Sequence, residues 1–212
     1  MTDWRQQRIE MVRYQIAARG VTAPAVLAAL RTVPRHEFVP EESRGDSYDD
    51  RPLPIGHDST ISQPYIVALM TELAGLTGGE SVLEVGTGSG YQAAVLAEIA
   101  AQVHTLEIVE PLARRAAATL RRLHYRNVVV RLGDGGHGWR QAGPFDAILV
   151  TAAPARRVPA ALLRQLADGG RLVAPVGKLE QRLQVIRREG DRFKRRIGTA
   201  VRFVPMTGAA AE

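Results

Sequence analysis

Two carboxylates and a run of glycines are the residues in this 212-residue chain best suited to hold a small charged ligand. Residues Ser81 to Gly90 read SVLEVGTGSG. The first half, Ser81–Val85, is a short apolar run carrying one acid, Glu84. The second half, Gly86-Thr87-Gly88-Ser89-Gly90, is a glycine-rich loop, and Tyr91–Ala100 follows with helical composition and apolar spacing. Strand, glycine loop and helix open a nucleotide-binding βαβ unit. Glycine lets the backbone turn sharply and lets a ligand lie against it, and the helix start offers unpaired N–H groups. The dinucleotide fingerprint G-x-G-x-x-G requires glycine at its sixth position. Tyr91 stands there, so that fingerprint fails. What remains is E-x-G-x-G-x-G from Glu84 to Gly90, and an acid two residues before the first glycine suits a cation better than a pyrophosphate. Glu107 ends the next apolar run, 21 residues after Gly86, where an acid can take ribose hydroxyls. Without those two acids the loop would read equally well as an ordinary turn.

The elements that must position these residues follow from periodicity. Trp4–Arg19 reads as an amphipathic helix with Ile9, Val12 and Ile16 on one face, ended by Gly20. Thr22 reads as the N-cap of a second helix, Ala23–Val33, with Pro24 in its first turn. Pro34–Pro64 reads as irregular, rich in Pro, Gly, Asp and Ser, and a loop of that length in a compact protein is usually functional or disordered. It ends in His57-Asp58-Ser59-Thr60-Ile61-Ser62-Gln63-Pro64, ahead of a helix at about Tyr65–Leu76. On composition alone its hydroxyls read as capping residues rather than catalytic ones.

From Ser81 the chain alternates. Strands are expected at Ser81–Val85, Val103–Ile108, Asn127–Leu132, Phe145–Val150 and Arg171–Pro175. Helices are expected at Tyr91–Ala101, Pro111–His124 and Pro159–Ala167, the last closed by Asp168-Gly169-Gly170. Leu183–Arg188 and Arg192–Val204 form a closing pair around Glu189-Gly190-Asp191. This alternation predicts a doubly wound α/β fold: a mostly parallel sheet with helices on both faces and an antiparallel pair at its edge. Ligands of such sheets bind beyond the carboxyl ends of the strands, where Gly86–Gly90, Glu107 and Asp134 fall. Asp134 follows its strand directly and could accept a hydrogen bond from an adenine amino group. The chain reads as one domain, with residues 1–80 an N-terminal helical extension carrying that long loop and 81–212 the cofactor-binding sheet.

Bulk composition narrows the classes. Apolar residues make up 45%, enough for a full core. There are no cysteines, which removes disulfides, thiolate metal sites and Cys nucleophiles and fits a reducing compartment. His36, His104, His124 and His137 lack metal-ligand spacing, so no metal is expected. No signal-like N-terminus and no run of the ~20 apolar residues that span a bilayer is visible, so a cytoplasmic protein is expected, with no membrane partner. The formal charge is +6, nearly all of it from Arg, in pairs such as Arg114-Arg115, Arg121-Arg122 and Arg195-Arg196. Their scatter reads as solvated helix faces and hairpin edges rather than a nucleic-acid surface.

The Glu84–Gly90 pattern resembles the first motif of S-adenosylmethionine-dependent methyltransferases, whose cofactor carries a sulfonium and an ammonium. Over nearly its whole length the chain resembles the protein-L-isoaspartate (D-aspartate) O-methyltransferase family. The pieces are VPRHEFVP at Val33–Pro40, PLPIG at Pro52–Gly56, TISQP at Thr60–Pro64, Val82–Gly90, Gly133-Asp134-Gly135, Pro144–Pro154 and VRFVP at Val201–Pro205. The glycine motif is shared by many methyltransferases. TISQP and the RFVP ending are far more specific. One departure is Gly136, a small residue where the family pattern carries a bulky aromatic.

The resemblance implies a Rossmann-like class I methyltransferase with a seven-stranded sheet. It implies S-adenosyl-L-methionine as cofactor, S-adenosyl-L-homocysteine as product, and methylation of the free α-carboxylate of isoaspartyl residues in damaged proteins. The ester then collapses to a succinimide that returns part of the chain to aspartate. D-aspartyl acceptance stays open. Carried over by position, Ser62 is the active-site serine and, with Val204, a substrate contact. Ser59, Thr60 and Ile61 lie against the cofactor with Glu84, Gly86, Thr87, Gly88, Ser89 and Gly90. Glu107 and Ile108 form the ribose site, Asp134 and Gly135 the adenine site, and Thr207 a further cofactor contact. Pro34–Pro64 is expected to close over the cofactor, with Val201–Pro205 the other wall of a peptide groove. A monomer acting on isoaspartyl proteins and peptides, without nucleic acid, is expected. Two rivals are a methyltransferase acting on RNA, which needs a continuous basic face beside the glycine loop, and a non-catalytic module that keeps the fold as a scaffold.

Overall fold

The computed structural model describes residues 3–210. A seven-stranded sheet runs in the order β5-β4-β3-β6-β7-β8-β9. Its strands are β3 (Ser81–Val85), β4 (Gln102–Glu107), β5 (Val128–Leu132), β6 (Phe145–Val150), β7 (Leu166–Val176), β8 (Gln181–Glu189) and β9 (Arg192–Val201). The β3/β4, β4/β5, β3/β6 and β6/β7 pairs are parallel, and β8 is antiparallel to both β7 and β9. The strand order reverses between β3 and β6, so the crevice above their carboxyl ends is the topological switch point. Side-chain alternation sends Val82, Val103, Ala147 and Leu149 into a core on one face, and Leu83, Val85, Ile148 and Val150 into a core on the other. Glu84 is on the first of these faces, between Thr105 of β4 and Leu149 of β6.

Helices α4 (Tyr91–Ala97), α5 (Glu110–Arg122) and the short α6 (Ala160–Arg164) alternate with the strands. The parallel core and its antiparallel edge follow the expected topology, and β3 and β6 have the expected limits. The stretch before Arg171 differs. It belongs to β7, whose register against β6 jumps from Phe145↔Leu166 to Ala147↔Arg171. The Asp168-Gly169-Gly170 segment is the irregularity inside a strand rather than the end of a helix, and Gly169 supplies a φ of 77° there.

The N-terminal extension departs further from the sequence expectation. The first helical segment starts as α1 (Trp4–Glu10), widens into a π-helical stretch over Met11–Ile16, and ends at Gly20 in a left-handed conformation. The wider turn puts Met11, Val12 and Ile16 in the core and leaves Ile9 38% exposed. Helix α2 (Pro24–Thr32) is not capped by Thr22. The two amides just ahead of it are met by Glu72, whose Oε1 accepts from the backbone N–H of Thr22 and of Ala23 at 2.7 Å each. Glu72 is on α3 (Pro64–Ala74), so one carboxylate ties two helices together.

Residues 34–64 are ordered rather than irregular. They form two short 3₁₀ turns and a hairpin, β1 (Leu53–Gly56) and β2 (Ser59–Ile61), which is a sheet of its own. His57 and Asp58 both take positive φ, 54° and 53°, as a two-residue hairpin turn of the primed type requires. Leu53, Ile55 and Ile61 face the core. Behind the hairpin, buried Arg35 donates through Nε to the Ser47 carbonyl at 2.7 Å and stacks 4.8 Å over the Tyr91 ring. Arg122 of α5 reaches Glu37 at 2.9 Å. The extension is thereby fastened to the first two helices after the glycine loop. None of the described helices is long and apolar enough to cross a membrane.

Candidate active site

A cleft of about 380 Å³ opens at the switch point, within the roughly 300–1,000 Å³ that small-molecule sites occupy. Its floor is Glu84–Ser89, the end of β3 and the glycine loop. Ser59, Thr60, Ile61 and Ser62 form one wall, Glu107 and Ile108 a second, and Val204–Thr207 a third, with Gly135 at the far end. Residues spread over nearly 150 positions of sequence therefore meet in one place.

Glycines make the floor. A Cβ on Gly86, whose φ is 99°, would fall onto the Thr151 hydroxyl, and one on Gly135 would fall onto Val85. The Thr151 hydroxyl donates to the carbonyls of Gly86 and Val85 at 2.6 and 3.0 Å, and it fixes where the strand ends and the loop begins. Glu107 is buried and accepts from the N–H groups of Gly88 at 2.7 Å and Val109 at 3.0 Å. The ribose-position acid thus holds the loop and the start of α5 in one arrangement.

Glu84 is fully buried. Its Oε2 accepts from the Thr105 hydroxyl at 2.5 Å, and Thr105 in turn pairs with Thr87 at 2.6 Å. Its Oε1 has no partner. No cationic side chain among the described residues pairs with it. Burial pushes the carboxyl up to about 8, with the Thr105 hydrogen bond opposing the shift and nearby Glu107 adding to it. A buried acid with one unused oxygen, in a glycine-lined cleft, fits a ligand that brings positive charge. Glu107 lines the same cleft, so two acids stand where the sequence motif implies a cationic nucleoside.

Two sequence-predicted residues do not face the cleft. Gly90 is turned toward α5, where a Cβ would press on Ala116 and Leu120 at 3.3 Å, so it is a packing glycine at the start of α4. Asp134 uses its carboxylate on the chain itself, accepting from Gly136 N–H and Ala209 N–H at 2.7 Å each. It anchors the C-terminal turn beside Gly135. Conversely, Tyr91, Gln92, Thr151, Ala152 and Met206 line the cleft without having been singled out from sequence. Tyr91 and Gln92 read simply as the first turn of a helix. Gln92 is nevertheless buried and donates to Thr71 of α3 at 2.9 Å, so α3 is joined to the first turn of α4.

The sequence profile described as protein-L-isoaspartate(D-aspartate) O-methyltransferase matches residues 6–211. The chain belongs to that family. It is 56% identical over 201 residues to a protein-L-isoaspartate O-methyltransferase of Picosynechococcus, covering 95% of this chain and 90% of the relative. It is 57% identical over 199 residues to the Gloeobacter violaceus enzyme of the same name, covering 93% and 97%. A solved protein-L-isoaspartate O-methyltransferase superposes with a TM-score of 0.88 at 29% identity, over 97% of this chain and 67% of that one. The Plasmodium falciparum family member, crystallised with S-adenosyl-L-homocysteine, superposes with a TM-score of 0.82 at 25% identity, over 94% and 98%. The chain is accordingly an S-adenosylmethionine-dependent protein-L-isoaspartate O-methyltransferase.

The raised Glu84 carboxyl has a measurable signature in this methyltransferase. It keeps its proton in the folded chain at pH values where the unfolded chain, at 4.5, has lost it. The folded state therefore binds the extra proton, and the contribution of Glu84 to stability falls as pH rises from about 4.5 to about 8, then levels off. Urea unfolding of the ligand-free protein across that window should show Glu84→Gln losing less stability than the parent as pH rises. Parallel curves for the two proteins would contradict a proton held by burial.

Proposed function

We propose that the cleft carries out the repair reaction by positioning two oppositely charged partners rather than by acid–base chemistry. The observation that supports this is the distribution of free polar groups around it. The floor holds Glu84 with its unused oxygen. The hairpin wall presents the hydroxyls of Thr60 and Ser62, and neither hydrogen-bonds to any described residue. An acid below suits a cationic cofactor, and unspent donors beside it suit an anionic acceptor.

When bound, S-adenosylmethionine supplies a methyl group on a positively charged sulfur. Glu84, Gly86, Thr87, Gly88 and Ser89 hold its amino-acid end in this reading. Glu107, with Ile108 beside it, takes the ribose. Gly135 borders the adenine, with Asp134 holding the turn behind it, and Ser59, Thr60, Ile61 and Thr207 close the sides. Ser62 donates a hydrogen bond to the isoaspartyl carboxylate and aims one oxygen along the line of transfer, while Val204 contacts the peptide. That carboxylate has a pKa of about 3.5 and is already ionised at neutral pH, so no general base is needed. Alignment of this kind can contribute ~7–11 kcal/mol to lowering a barrier. Attacking oxygen and sulfonium lose charge as they react, so the buried floor, with little water to stabilise the separated charges, suits the step. Within this reading the chain works as a single-domain monomer in the cytoplasm, without nucleic acid.

The reading is tested with methyl-labelled S-adenosylmethionine and two peptides that differ only in an Asp-Gly or isoAsp-Gly linkage. Base-labile label on the isoaspartyl peptide alone is expected. Label on both peptides, or on neither while the cofactor binds, would sink the substrate assignment. Ser62→Ala is expected to lower kcat on the order of 100-fold, as loss of one oriented donor does elsewhere, with cofactor affinity kept. An unchanged kcat would remove Ser62 from its role.

A further inference from the structure

The β1–β2 hairpin supplies Ser59, Thr60 and Ile61 to the cleft and leads directly into Ser62, yet it does not join the main sheet. Among the described residues, one hydrogen bond connects its strands and turn, residues 53–61, to the body of the protein. Arg115 Nη2 of α5 donates to the Ile55 carbonyl at 2.5 Å. Otherwise the hairpin rests on its apolar side chains, and the side chain of Ile55 itself lies over the glycine loop, its Cδ1 3.5 Å from where a Cβ on Gly88 would sit. Ile55 is thus held from two directions: its carbonyl by α5 and its side chain by the loop.

Arg115 is free for this task. Its neighbour Arg114 pairs with Glu110 at 2.6 Å, and Arg122 pairs with Glu37, but no carboxylate among the described residues lies within 4.0 Å of the Arg115 guanidinium. The residue is exposed and lies outside the cleft lining. Its helix begins where Glu107 fixes the Val109 amide, and the next residue, Ala116, is the one that Gly90 packs against. The first two turns of α5 therefore touch the ribose-side segment, the glycine loop and the hairpin.

We propose that Arg115 is a positioning residue for catalysis, a clamp that fixes the hairpin over the glycine loop so that Ser62 and the bound cofactor keep one relative placement. The proposal rests on the reading of the hairpin as the catalytic wall. Arg115 touches neither reactant. It acts through the Ile55 carbonyl, and a bond from a charged donor to a backbone oxygen is among the stronger single hydrogen bonds.

The test compares the full-length parent with Arg115→Ala and Arg115→Lys. Because the side chain is exposed, the thermal midpoint should stay within about 2 °C of the parent. Amide hydrogen exchange in residues 53–61 should quicken about ten-fold in Arg115→Ala, the scale of one lost charged hydrogen bond, while β3 and β4 keep their protection. The same variant should lower kcat on the isoaspartyl peptide about ten-fold, and Arg115→Lys should restore part of both effects. Unchanged exchange in 53–61 overturns the clamp. So does faster exchange there with kcat unchanged, and so does a general loss of protection with a lowered midpoint, which marks a merely structural role. A parent protein that methylates neither peptide defeats the repair reading instead, and the exchange data then still decide whether Arg115 holds the hairpin.

Discussion

A carboxylate without a cation of its own sits beneath the ligand cleft, and the arrangement around it follows from that. Glu84 occupies a sheet position that its neighbours on β4 and β6 fill with Thr105 and Leu149. An ionised carboxylate there would be costly, since burial of an unpaired charge carries a penalty of several kcal/mol. The protein meets this with a proton and a chain of two hydroxyls, Thr105 and Thr87, that satisfies one oxygen and leaves the other unused. The empty site therefore holds a neutral carboxyl with one oxygen unpartnered among the described residues. A cofactor that arrives with positive charge suits that oxygen, and the glycines at 86 and 88 leave room for it to approach.

The same logic sets the other walls. The acceptor in the repair reaction is an anion, and three acidic side chains, Asp58, Glu84 and Glu107, already line the cleft. Placing that anion takes hydrogen-bond donors and closeness rather than another charge. In the proposed reading the hairpin wall supplies those donors, and it is held to the core from outside because it is not part of the main sheet. Helix α5 does this work for both the hairpin and the segment before it, through Arg115 and Arg122.

Much of the core was legible in the sequence because its signals are local. β3, the glycine loop and the start of α4 follow from an apolar run, five residues rich in glycine, and a helical period, and β6 is an apolar run interrupted only by Asp146. The parts that were not legible depend on partners distant in sequence or on rare backbone states. The hairpin turn uses His57 and Asp58 in the left-handed region, where Asn-Gly or Asp-Gly would have signalled a turn. Its two strands therefore read as irregular chain. Thr22 has the chemistry of a cap, but the helix has no side-chain cap, and Glu72, fifty residues on, holds the amides that lead into it. Asp134 has the position of a ligand acid and is used on backbone amides. Arg115 looked like one half of a solvated pair, and only the fold shows the carbonyl it reaches. TISQP is the instructive case. Its residues alone favour capping, and the family resemblance, not the composition, pointed to a catalytic wall.

The account stands or falls on whether Glu84 exchanges its proton for the positive charge of the cofactor. Calorimetric titration of S-adenosylmethionine at pH 7, in two buffers of different ionisation heat, counts protons released on binding. With a carboxyl near 8, the parent should release close to one more proton per site than Glu84→Gln does. Equal counts for the two proteins would mean that Glu84 is already ionised in the empty cleft, or stays neutral in the filled one, and would contradict the account.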